Sequence, residues 1–286
     1  MSITIEDLMM PRYLVFTDLD GCLLDSRTYS FDAARPALER LQLNHIPVVL
    51  VSSKTRAEIE PLRRHLDHQG PFIVENGGAV FVPGGTFDFP MERARRRASY
   101  QVIEFGTPYA MLRDVLKQIE DSVGTPLLGF GDLSVDDIME LTGLSREAAL
   151  RAKLREYDEP YLVRGPETIA AEVRRQIIMR GLQWTKGGRF FHLTGLNDKG
   201  QAALKLLHCY KRQWNMDGEQ HEVETVGIGD SLNDLPLLLA VDHPVLVQKP
   251  DGSYDRDIDV PQLIHAPGIG PVGWNHAILD LLNLAA

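Results

Sequence analysis

Two carboxylates at the end of one predicted strand raise the first chemical question in this sequence. Asp18 and Asp20 follow the apolar run YLVFT, and alternate residues of an extended chain point the same way, so both side chains project toward one point. Carboxylates this close are costly to bury unless a positive charge lies between them. Asp230 ends another predicted strand, and Asp234 follows about one helical turn later. The four carboxylates predict a site for Mg²⁺ and a phosphoryl group.

Other polar residues are predicted at the same edge of the sheet. Ser52 follows the buried-strand pattern IPVVLV, and Asn76 ends the pattern PFIVEN. Ligands bind at the carboxyl ends of strands in open α/β sheets, so we expect these residues beside Asp18. The residues alone also allow a second interpretation, in which Ser52 caps the helix near Thr55 and Asn76 belongs to a turn. For Asp234 the alternative is an acid at a helix N-terminus.

Unbroken apolar strand patterns alternate with amphipathic helix patterns over the first part of the chain. This alternation is typical of a parallel sheet covered by helices on both faces, so the predicted fold class is α/β. The alternation of strand and helix patterns stops at about Phe87 and resumes after His192. We therefore predict a core formed by residues 1–86 and 193–286, interrupted by an inserted α+β module at residues 87–192.

The composition is that of an ordinary globular chain with an acidic excess. The 286 residues are 44% hydrophobic and carry a formal net charge of −10, which argues against partners such as nucleic acid or an anionic membrane. No apolar run approaches the roughly 20 residues that a membrane span needs. The N-terminal residues lack the pattern of a signal peptide, and Cys22 and Cys209 have no metal-type spacing. We expect a cytoplasmic protein with a small-molecule ligand; the sequence predicts no oligomeric state.

Four segments, taken in order, resemble the motifs of the haloacid dehalogenase (HAD) superfamily of phosphatases. They are DLDGCLLD, VVLVSSKT, DKGQAALKLL and GDSLNDLPLL. Their order, their positions at strand ends and the inserted module agree with that resemblance, whereas a single motif would be weak evidence. The resemblance implies a Rossmann-like HAD core with a parallel sheet and an inserted α+β cap domain. It also implies hydrolysis of a phosphomonoester, with Mg²⁺ as the cofactor.

The resemblance implies a role for each carboxylate that matches a motif. Asp18 resembles the nucleophile that becomes an aspartyl-phosphate. Asp20 resembles the acid that protonates the leaving oxygen and then, as a base, activates water. The Asp18 carboxylate, the main-chain carbonyl of Asp20 and Asp230 would hold Mg²⁺, with Asp234 as a further ligand or directly behind the ligands.

The same resemblance implies which residues surround the phosphoryl group. Ser52, through its hydroxyl, and Ser53, through its N–H, would bind the phosphoryl oxygens, and Lys199 would neutralise the charge on the transferred group. The alternative for Lys199 is a surface lysine at a helix start. Asn76 is expected at the pocket wall. Asn233 either orients the nucleophile or caps its helix.

The inserted module resembles that of the mannosyl-3-phosphoglycerate phosphatase family. The segment GFGDLSVDDIMELTGLSREAALRAKLREYDEPYLV, followed by GGRFFHL, carries this resemblance. It implies a phosphorylated sugar-acid substrate, mannosyl-3-phosphoglycerate or glucosyl-3-phosphoglycerate, which contains a hexose, a carboxylate and a phosphate. Arg151 and Arg189 are candidates for binding such a substrate. The alternative for both arginines is a charge on a solvated helix or loop.

Three other functions remain open at this stage. A phosphatase for another sugar phosphate, such as a sucrose- or trehalose-phosphate, would share the core motifs and differ only in the cap. A phosphohexomutase on the same core would return the phosphoryl group to a hydroxyl and release almost no inorganic phosphate. A non-catalytic binding protein of the same fold is disfavoured, because it would not need the full set of motif residues.

Overall fold

The computed structural model describes residues 11–187, 189–216, 218 and 221–284. The first ten residues, on which the interpretation of the N-terminus depends, lie outside this range. The strands are β1 (Arg12–Thr17), β2 (Val48–Val51), β3 (Phe72–Val74), β4 (Ala79–Pro83), β5 (Arg95–Arg97), β6 (Tyr100–Glu104), β7 (Leu127–Gly129), β8 (Asp158–Val163), β9 (Gln183–Lys186), β10 (Phe191–Thr194), β11 (Val223–Gly229), β12 (His243–Gln248) and β13 (Ile264–Ile269).

The helices of the described residues lie between these strands. They are α1 (Arg35–Leu43), α2 (Arg56–His65), α3 (Tyr109–Val123), α4 (Val135–Thr142), α5 (Arg146–Ala152), α6 (Glu167–Met179), α7 (Lys199–Trp214), α8 (Leu235–Leu238) and α9 (Pro271–Leu284). None of the helices in the described ranges is both long enough and apolar enough to cross a membrane.

Nine strands form the central sheet in the order β13-β12-β11-β1-β2-β3-β4-β6-β5. The pairs from β13 to β3 are parallel, and β4, β6 and β5 add antiparallel strands at one edge. Both faces of β1 are buried, since Val15 packs into one apolar layer and Leu14 and Phe16 into the other. This two-sided burial explains why the parallel strands read as continuous apolar runs, and it confirms the α/β class.

Four antiparallel strands form a second sheet in the order β7-β8-β10-β9. The helices α3 and α6 contact each other, and their buried residues share one apolar cluster with Tyr161 and Leu193 of the sheet. A separate small cluster joins α4 and α5 around Ile138 and Ala149. Helices packed on a separate antiparallel sheet are an α+β arrangement, the type expected of the predicted module.

The boundary between the central sheet and the second sheet lies further along the chain than the sequence pattern predicts. The predicted module began at residue 87, but β5 and β6 pair with β4 and extend the central sheet to Glu104. The second sheet ends at Thr194, close to the predicted end at residue 192. We therefore propose that the inserted module spans about residues 105–194, and the division into two domains remains a prediction.

Candidate active site

The ends of two adjacent parallel strands bring Asp18 and Asp230 together. Thr17 of β1 lies beside Ile228 of β11, and the N–H of Asp18 donates a hydrogen bond to the Ile228 carbonyl at 2.9 Å. Together with Asp234 they form a cluster in which one carboxylate oxygen from each residue lies within 4.8 Å of the others. The structure thus brings three of the four predicted metal ligands to one point.

Asp234 holds the loop that carries Asp230. Its Oδ2 accepts hydrogen bonds from the N–H groups of Asp230 at 3.0 Å and Ser231 at 3.2 Å, and its Oδ1 accepts one from Nζ of Lys199 at 2.6 Å. A β-carbon on Gly229 would lie only 2.4 Å from Cβ of Asp234, so this packing requires glycine. Asp234 also forms a capping box with Ser231. The alternative role, an acid at a helix N-terminus, therefore describes part of what Asp234 does.

Lys199, the first residue of α7, is fully buried between two carboxylates. Its Nζ donates a hydrogen bond to Oδ1 of Asp18 at 2.6 Å and another to Oδ1 of Asp234 at 2.6 Å. Burial lowers the pKa of Lys199, but the two carboxylates outweigh burial and raise it above its usual value. The helix start fits here because Gly200 packs against the carbonyl of Pro236, where a β-carbon would lie 2.2 Å from the oxygen. The surface alternative for Lys199 is therefore wrong.

The carboxylates of this cluster carry more negative charge than Lys199 alone offsets. Burial raises the pKa of Asp18 well above its usual value; Asp234 and Asp230 add to this effect, and Lys199 opposes it. Burial and Asp234 likewise raise the pKa of Asp230 to about 7. A bound cation favours the ionised forms of such groups. A set of carboxylate oxygens this close together is the donor chemistry of a hard divalent cation.

Asp20 lies beside this cluster, but its carboxylate is not part of it. Its Oδ2 lies 2.9 Å from Nζ of Lys54, and its Oδ1 is buried without a hydrogen-bond partner among the described residues. Gly21 follows with a φ of 75°, and a β-carbon there would lie 2.8 Å from Oδ2 of Asp230. Glycine therefore lets the chain turn directly against the carboxylate cluster. The metal contact expected of the Asp20 main-chain carbonyl remains a prediction.

Ser52 and Ser53 follow β2 at the same edge of the sheet. The Ser52 hydroxyl accepts a hydrogen bond from the N–H of Lys54 at 3.1 Å, and Ser52 is almost completely buried. Thr55, not Ser52, caps α2, through a capping box with Glu58, so the cap alternative for Ser52 is wrong. Ser53 lines the cavity described below, whereas Ser52 does not.

Asn76 and Asn233 are joined to each other beneath the site. Asn76 has left-handed backbone angles (φ 54°, ψ 41°), as expected of a turn residue. Its Oδ1 accepts a hydrogen bond from Nδ2 of Asn233 at 3.2 Å, and its Nδ2 donates one to Oδ2 of Asp158 at 2.8 Å. Asn233 also accepts a hydrogen bond from the Ser231 hydroxyl at 2.7 Å and lines the cavity, whereas Asn76 does not. Asn76 thus supports the wall rather than forming it.

A cavity of about 660 Å³ lies between the carboxylate cluster and the inserted module. Core residues on its wall include Asp18, Asp20, Ser53, Lys54, Asp230 and Asn233. The module contributes residues that include Phe130, Leu144, Lys186, Arg189, Phe190 and His192. One side of the cavity therefore offers carboxylates and lysines, and the other offers aromatic rings, cations and an imidazole.

Of the two arginines predicted to bind substrate, only Arg189 lines this cavity. It is exposed, and it has no ion-pair partner in the part of the chain that the structure describes. Arg151 lies on α5 and pairs with Glu147 one turn earlier, while its carbonyl accepts a hydrogen bond from the Thr55 hydroxyl at 3.0 Å. The solvated-helix alternative thus describes Arg151.

Sequence reasoning missed a group of buried polar residues where the module meets the core. Arg155 donates hydrogen bonds to the carbonyls of Asp158 at 2.8 Å and Ser53 at 2.7 Å. The Asp158 carboxylate lies 2.9 Å from Nδ1 of His192. Lys54 was also left without a role, because related phosphatases often have arginine at that position. The one available signal was the acid pair before PYLV, since acids at the start of a buried strand need partners.

Comparison with known proteins agrees with this geometry. The family model described as haloacid dehalogenase-like hydrolase matches residues 15–88. Two solved structures, a haloacid dehalogenase-like hydrolase from Bacteroides thetaiotaomicron and one from B. subtilis, share the fold. Their TM-scores are 0.61 and 0.63, at 16% and 19% identity. The alignments cover 95% of this chain and 99% of the first protein, and 94% of this chain and 99% of the second.

Curated relatives resemble the chain over most of its length. A glucosyl-3-phosphoglycerate/mannosyl-3-phosphoglycerate phosphatase from Methanococcoides burtonii is 48% identical, with 95% of this chain and 98% of the relative aligned. A protein of the same name from Persephonella marina is 39% identical over 94% and 97% of the two chains. The mannosyl-3-phosphoglycerate phosphatase of Pyrococcus furiosus is 36% identical over 82% and 90%. The chain therefore belongs to the glucosyl-3-phosphoglycerate/mannosyl-3-phosphoglycerate phosphatase family of haloacid dehalogenase-like hydrolases.

Proposed function

We propose that this protein is a Mg²⁺-dependent phosphatase that hydrolyses mannosyl-3-phosphoglycerate and glucosyl-3-phosphoglycerate to the glycosylglycerate and phosphate. The observation that carries the proposal is the cluster of Asp18, Asp230 and Asp234, of which Asp18 and Asp234 are buried and which Lys199 only partly neutralises. The identity of 48% to a phosphatase named for both substrates supports the choice of substrate.

Asp18 is the proposed nucleophile. Lys199 holds Oδ1 of its carboxylate at 2.6 Å, which fixes the side chain for attack by an oxygen on phosphorus. The new bond joins this oxygen to phosphorus while the bond between phosphorus and the ester oxygen of the substrate breaks. Lys199 lies beside the Asp18 carboxylate, which accepts the phosphoryl group. Its ammonium therefore stabilises the negative charge of that group during the transfer.

Asp20 is the proposed acid and base. It gives a proton to the departing ester oxygen and then takes one from the water that attacks the aspartyl-phosphate, which releases phosphate and regenerates Asp18. Lys54 lies 2.9 Å from its Oδ2 and keeps the carboxylate directed along the cavity wall that both residues share. Ser53 on the same wall offers contacts to the phosphoryl oxygens.

Asp18 and Asp230 would hold Mg²⁺, with Asp234 holding the Asp230 loop behind them. The cation would supply positive charge that keeps the carboxylates ionised and draws a phosphoryl oxygen to the nucleophile. The lining of the module suits the remainder of the substrate. Lys186 and Arg189 have no carboxylate partner within the described ranges and suit the glycerate carboxylate. The rings of Phe130 and Phe190 suit the apolar face of a hexose.

A phosphate-release panel tests this function. The purified protein with Mg²⁺ is offered mannosyl- and glucosyl-3-phosphoglycerate, sucrose- and trehalose-phosphate, and free hexose phosphates. We expect kcat/KM to be highest for the two glycosyl-3-phosphoglycerates and activity to vanish in excess chelator and return with Mg²⁺. A preference for another sugar phosphate would contradict the substrate assignment, and a product that retains the phosphate would indicate a mutase.

A further inference from the structure

A chain of hydrogen bonds runs from the carboxylate loop of the core to the inner wall of the module. Nδ2 of Asn233 donates to Oδ1 of Asn76 at 3.2 Å, and Nδ2 of Asn76 donates to Oδ2 of Asp158 at 2.8 Å. Asp158 in turn contacts Nδ1 of His192 through both oxygens, at 2.9 and 3.0 Å. All four residues are buried, so the chain is held in place along its whole length.

The Asp158 carboxylate makes Nδ1 of His192 a hydrogen-bond donor. Burial alone would raise the pKa of Asp158, but His192 and Arg155 outweigh burial and lower it below its usual value. An ionised carboxylate only accepts hydrogen bonds, so Nδ1 of His192 must be the donor. The other ring nitrogen, Nε2, has no hydrogen-bond partner among the residues that the structure describes, although only 9% of the side chain is exposed and the residue lines the cavity.

Nε2 of His192 and Nδ2 of Asn233 both lie close to Gly187. A β-carbon built on Gly187 would lie 3.5 Å from Nε2 of His192 and 3.7 Å from Nδ2 of Asn233. The space beside Gly187 therefore faces one nitrogen from the module and one from the core. Asn233 lies next to Asp234 in the loop that carries the metal-binding carboxylates, so this space adjoins the phosphoryl site rather than the far end of the cavity.

We propose that His192, as a cation paired with the Asp158 carboxylate, is a substrate-binding residue whose Nε2–H donates a hydrogen bond to an oxygen of the glycerate unit next to the scissile ester, and that Asp158 is the residue that positions it. A bound glycosyl-3-phosphoglycerate extends from the carboxylate cluster into the module, and its glycerate unit is the part nearest the phosphorus. This inference rests on the proposed function and adds a specificity residue whose role was not predicted from the sequence. Because both glycosyl substrates share the glycerate unit, His192 serves them equally.

The test uses two substitutions that separate the nitrogens of the ring. In His192→Asn, the amide nitrogen occupies roughly the place of Nδ1 and keeps the bond to Asp158, but Nε2 is lost. We expect kcat/KM for both glycosyl-3-phosphoglycerates to fall about tenfold more than kcat/KM for p-nitrophenyl phosphate, mainly through KM. His192→Gln, which places an amide near Nε2, should recover part of this loss. His208→Asn, an exposed histidine on α7, is the matched control.

Asp158→Asn tests the positioning role. Alone it should produce the same selective loss, and the double variant with His192→Asn should be no worse than either single variant, because both changes remove one function. Thermal unfolding of each variant is measured beside the kinetics. An additive double variant would overturn the positioning role.

Other outcomes overturn the inference in distinguishable ways. An equal loss for all three substrates would mean that His192 supports the fold or the chemistry, and no loss would mean that it does not touch substrate. Losses that differ more than about threefold between the mannosyl and glucosyl substrates would assign Nε2 to the hexose. If the unaltered protein hydrolyses only p-nitrophenyl phosphate, the proposed function fails and this inference falls with it.

Discussion

Nζ of Lys54 lies 2.9 Å from Oδ2 of Asp20 on the wall of the cavity. Glu58 lies 3.8 Å from the same nitrogen, and the ring of Tyr29 has its centroid 5.1 Å away. Only 12% of the Lys54 side chain is exposed. The ammonium is therefore held between an acid, a second acid and an aromatic face, which leaves Asp20 little freedom to turn out of the site.

Lys54→Met should lower kcat by about 10- to 100-fold, because Asp20 loses the partner that directs it. Lys54→Arg retains the charge and should stay within about tenfold of the unaltered protein. Steady-state kinetics with both glycosyl-3-phosphoglycerates measures the effect. Full activity of Lys54→Met would show that Asp20 needs no such partner.

Asp18→Asn should lower kcat by more than about a thousandfold, because an amide oxygen is a poor nucleophile toward phosphorus. The fold should survive, since the replacement has nearly the same shape. Phosphate release and circular dichroism are measured together, with Asp114→Asn on the exposed side of α3 as the control. Residual turnover above a thousandth of the original rate would count against Asp18 as the nucleophile.

His68 should make the fold sensitive to acid. Its ring lies between the Val48 carbonyl, 2.7 Å from Nε2, and Nε of Arg63, 3.2 Å from Nδ1. Burial, and to a lesser degree Arg63, lower the pKa of His68 to about 4. The unfolded chain takes up this proton near pH 6.5 and the folded protein near pH 4. The contribution of the neutral ring is therefore present above pH 6.5 and lost as the pH falls toward 4.

Urea unfolding at pH 7 and pH 4.5 measures this effect. His68→Gln removes the titration, so the difference in the free energy of unfolding between the unaltered protein and this variant should shrink by about 2 to 3 kcal/mol at pH 4.5. His208→Gln, at an exposed position, should show no such change. If the difference in the free energy of unfolding between the two proteins did not change with pH, His68 would take up its proton as readily in the folded protein as in the unfolded chain.

Gly77→Ala should destabilise the protein much more than Gly85→Ala. The two glycines have φ angles of 87° and 86°, so the backbone cost of alanine, about 1 to 2 kcal/mol, is the same. A β-carbon on Gly77 would lie 2.0 Å from the carbonyl oxygen of Asp198, whereas none of the described atoms lies within 4 Å of one on Gly85. The free energies of unfolding of the two variants, measured in urea, should therefore differ by about 2 kcal/mol. Equal losses would mean that the Asp198 turn moves freely.

The site residues that could be predicted from the sequence are those whose position is determined by the single strand that they follow. Asp18 and Asp230 were predicted because each directly follows a continuous apolar run, and parallel strands end at one edge. Lys199 was predicted only through resemblance to a family, since its motif lies on a helix whose packing depends on Gly200 and Pro236. The inserted module was predicted from the change in strand and helix pattern, and the resemblance added its role as a cap.

The remainder could not be predicted because it depends on contacts between distant segments. β5 consists of three arginines, Arg95–Arg97, a pattern that gives no strand signal and suits only the edge of a sheet. A proline within a helix pattern usually indicates a break, but α1 begins at Arg35 and has Pro36 in its first turn, where no N–H is needed. His192 and Asp158 come together only through pairing of β8 and β10.

The pairing of β1 with β11 also has a consequence for how the enzyme is made. β1 comes from the beginning of the chain and β11 from its last third, so the nucleophile emerges from the ribosome long before its acidic partner. Closing this pair requires the whole inserted module to loop out, which is a slow type of contact to form. A nascent chain that has not yet reached Gly229 therefore exposes one edge of β1 and has no phosphatase activity. Catalytic competence therefore arises only after β11 has been made.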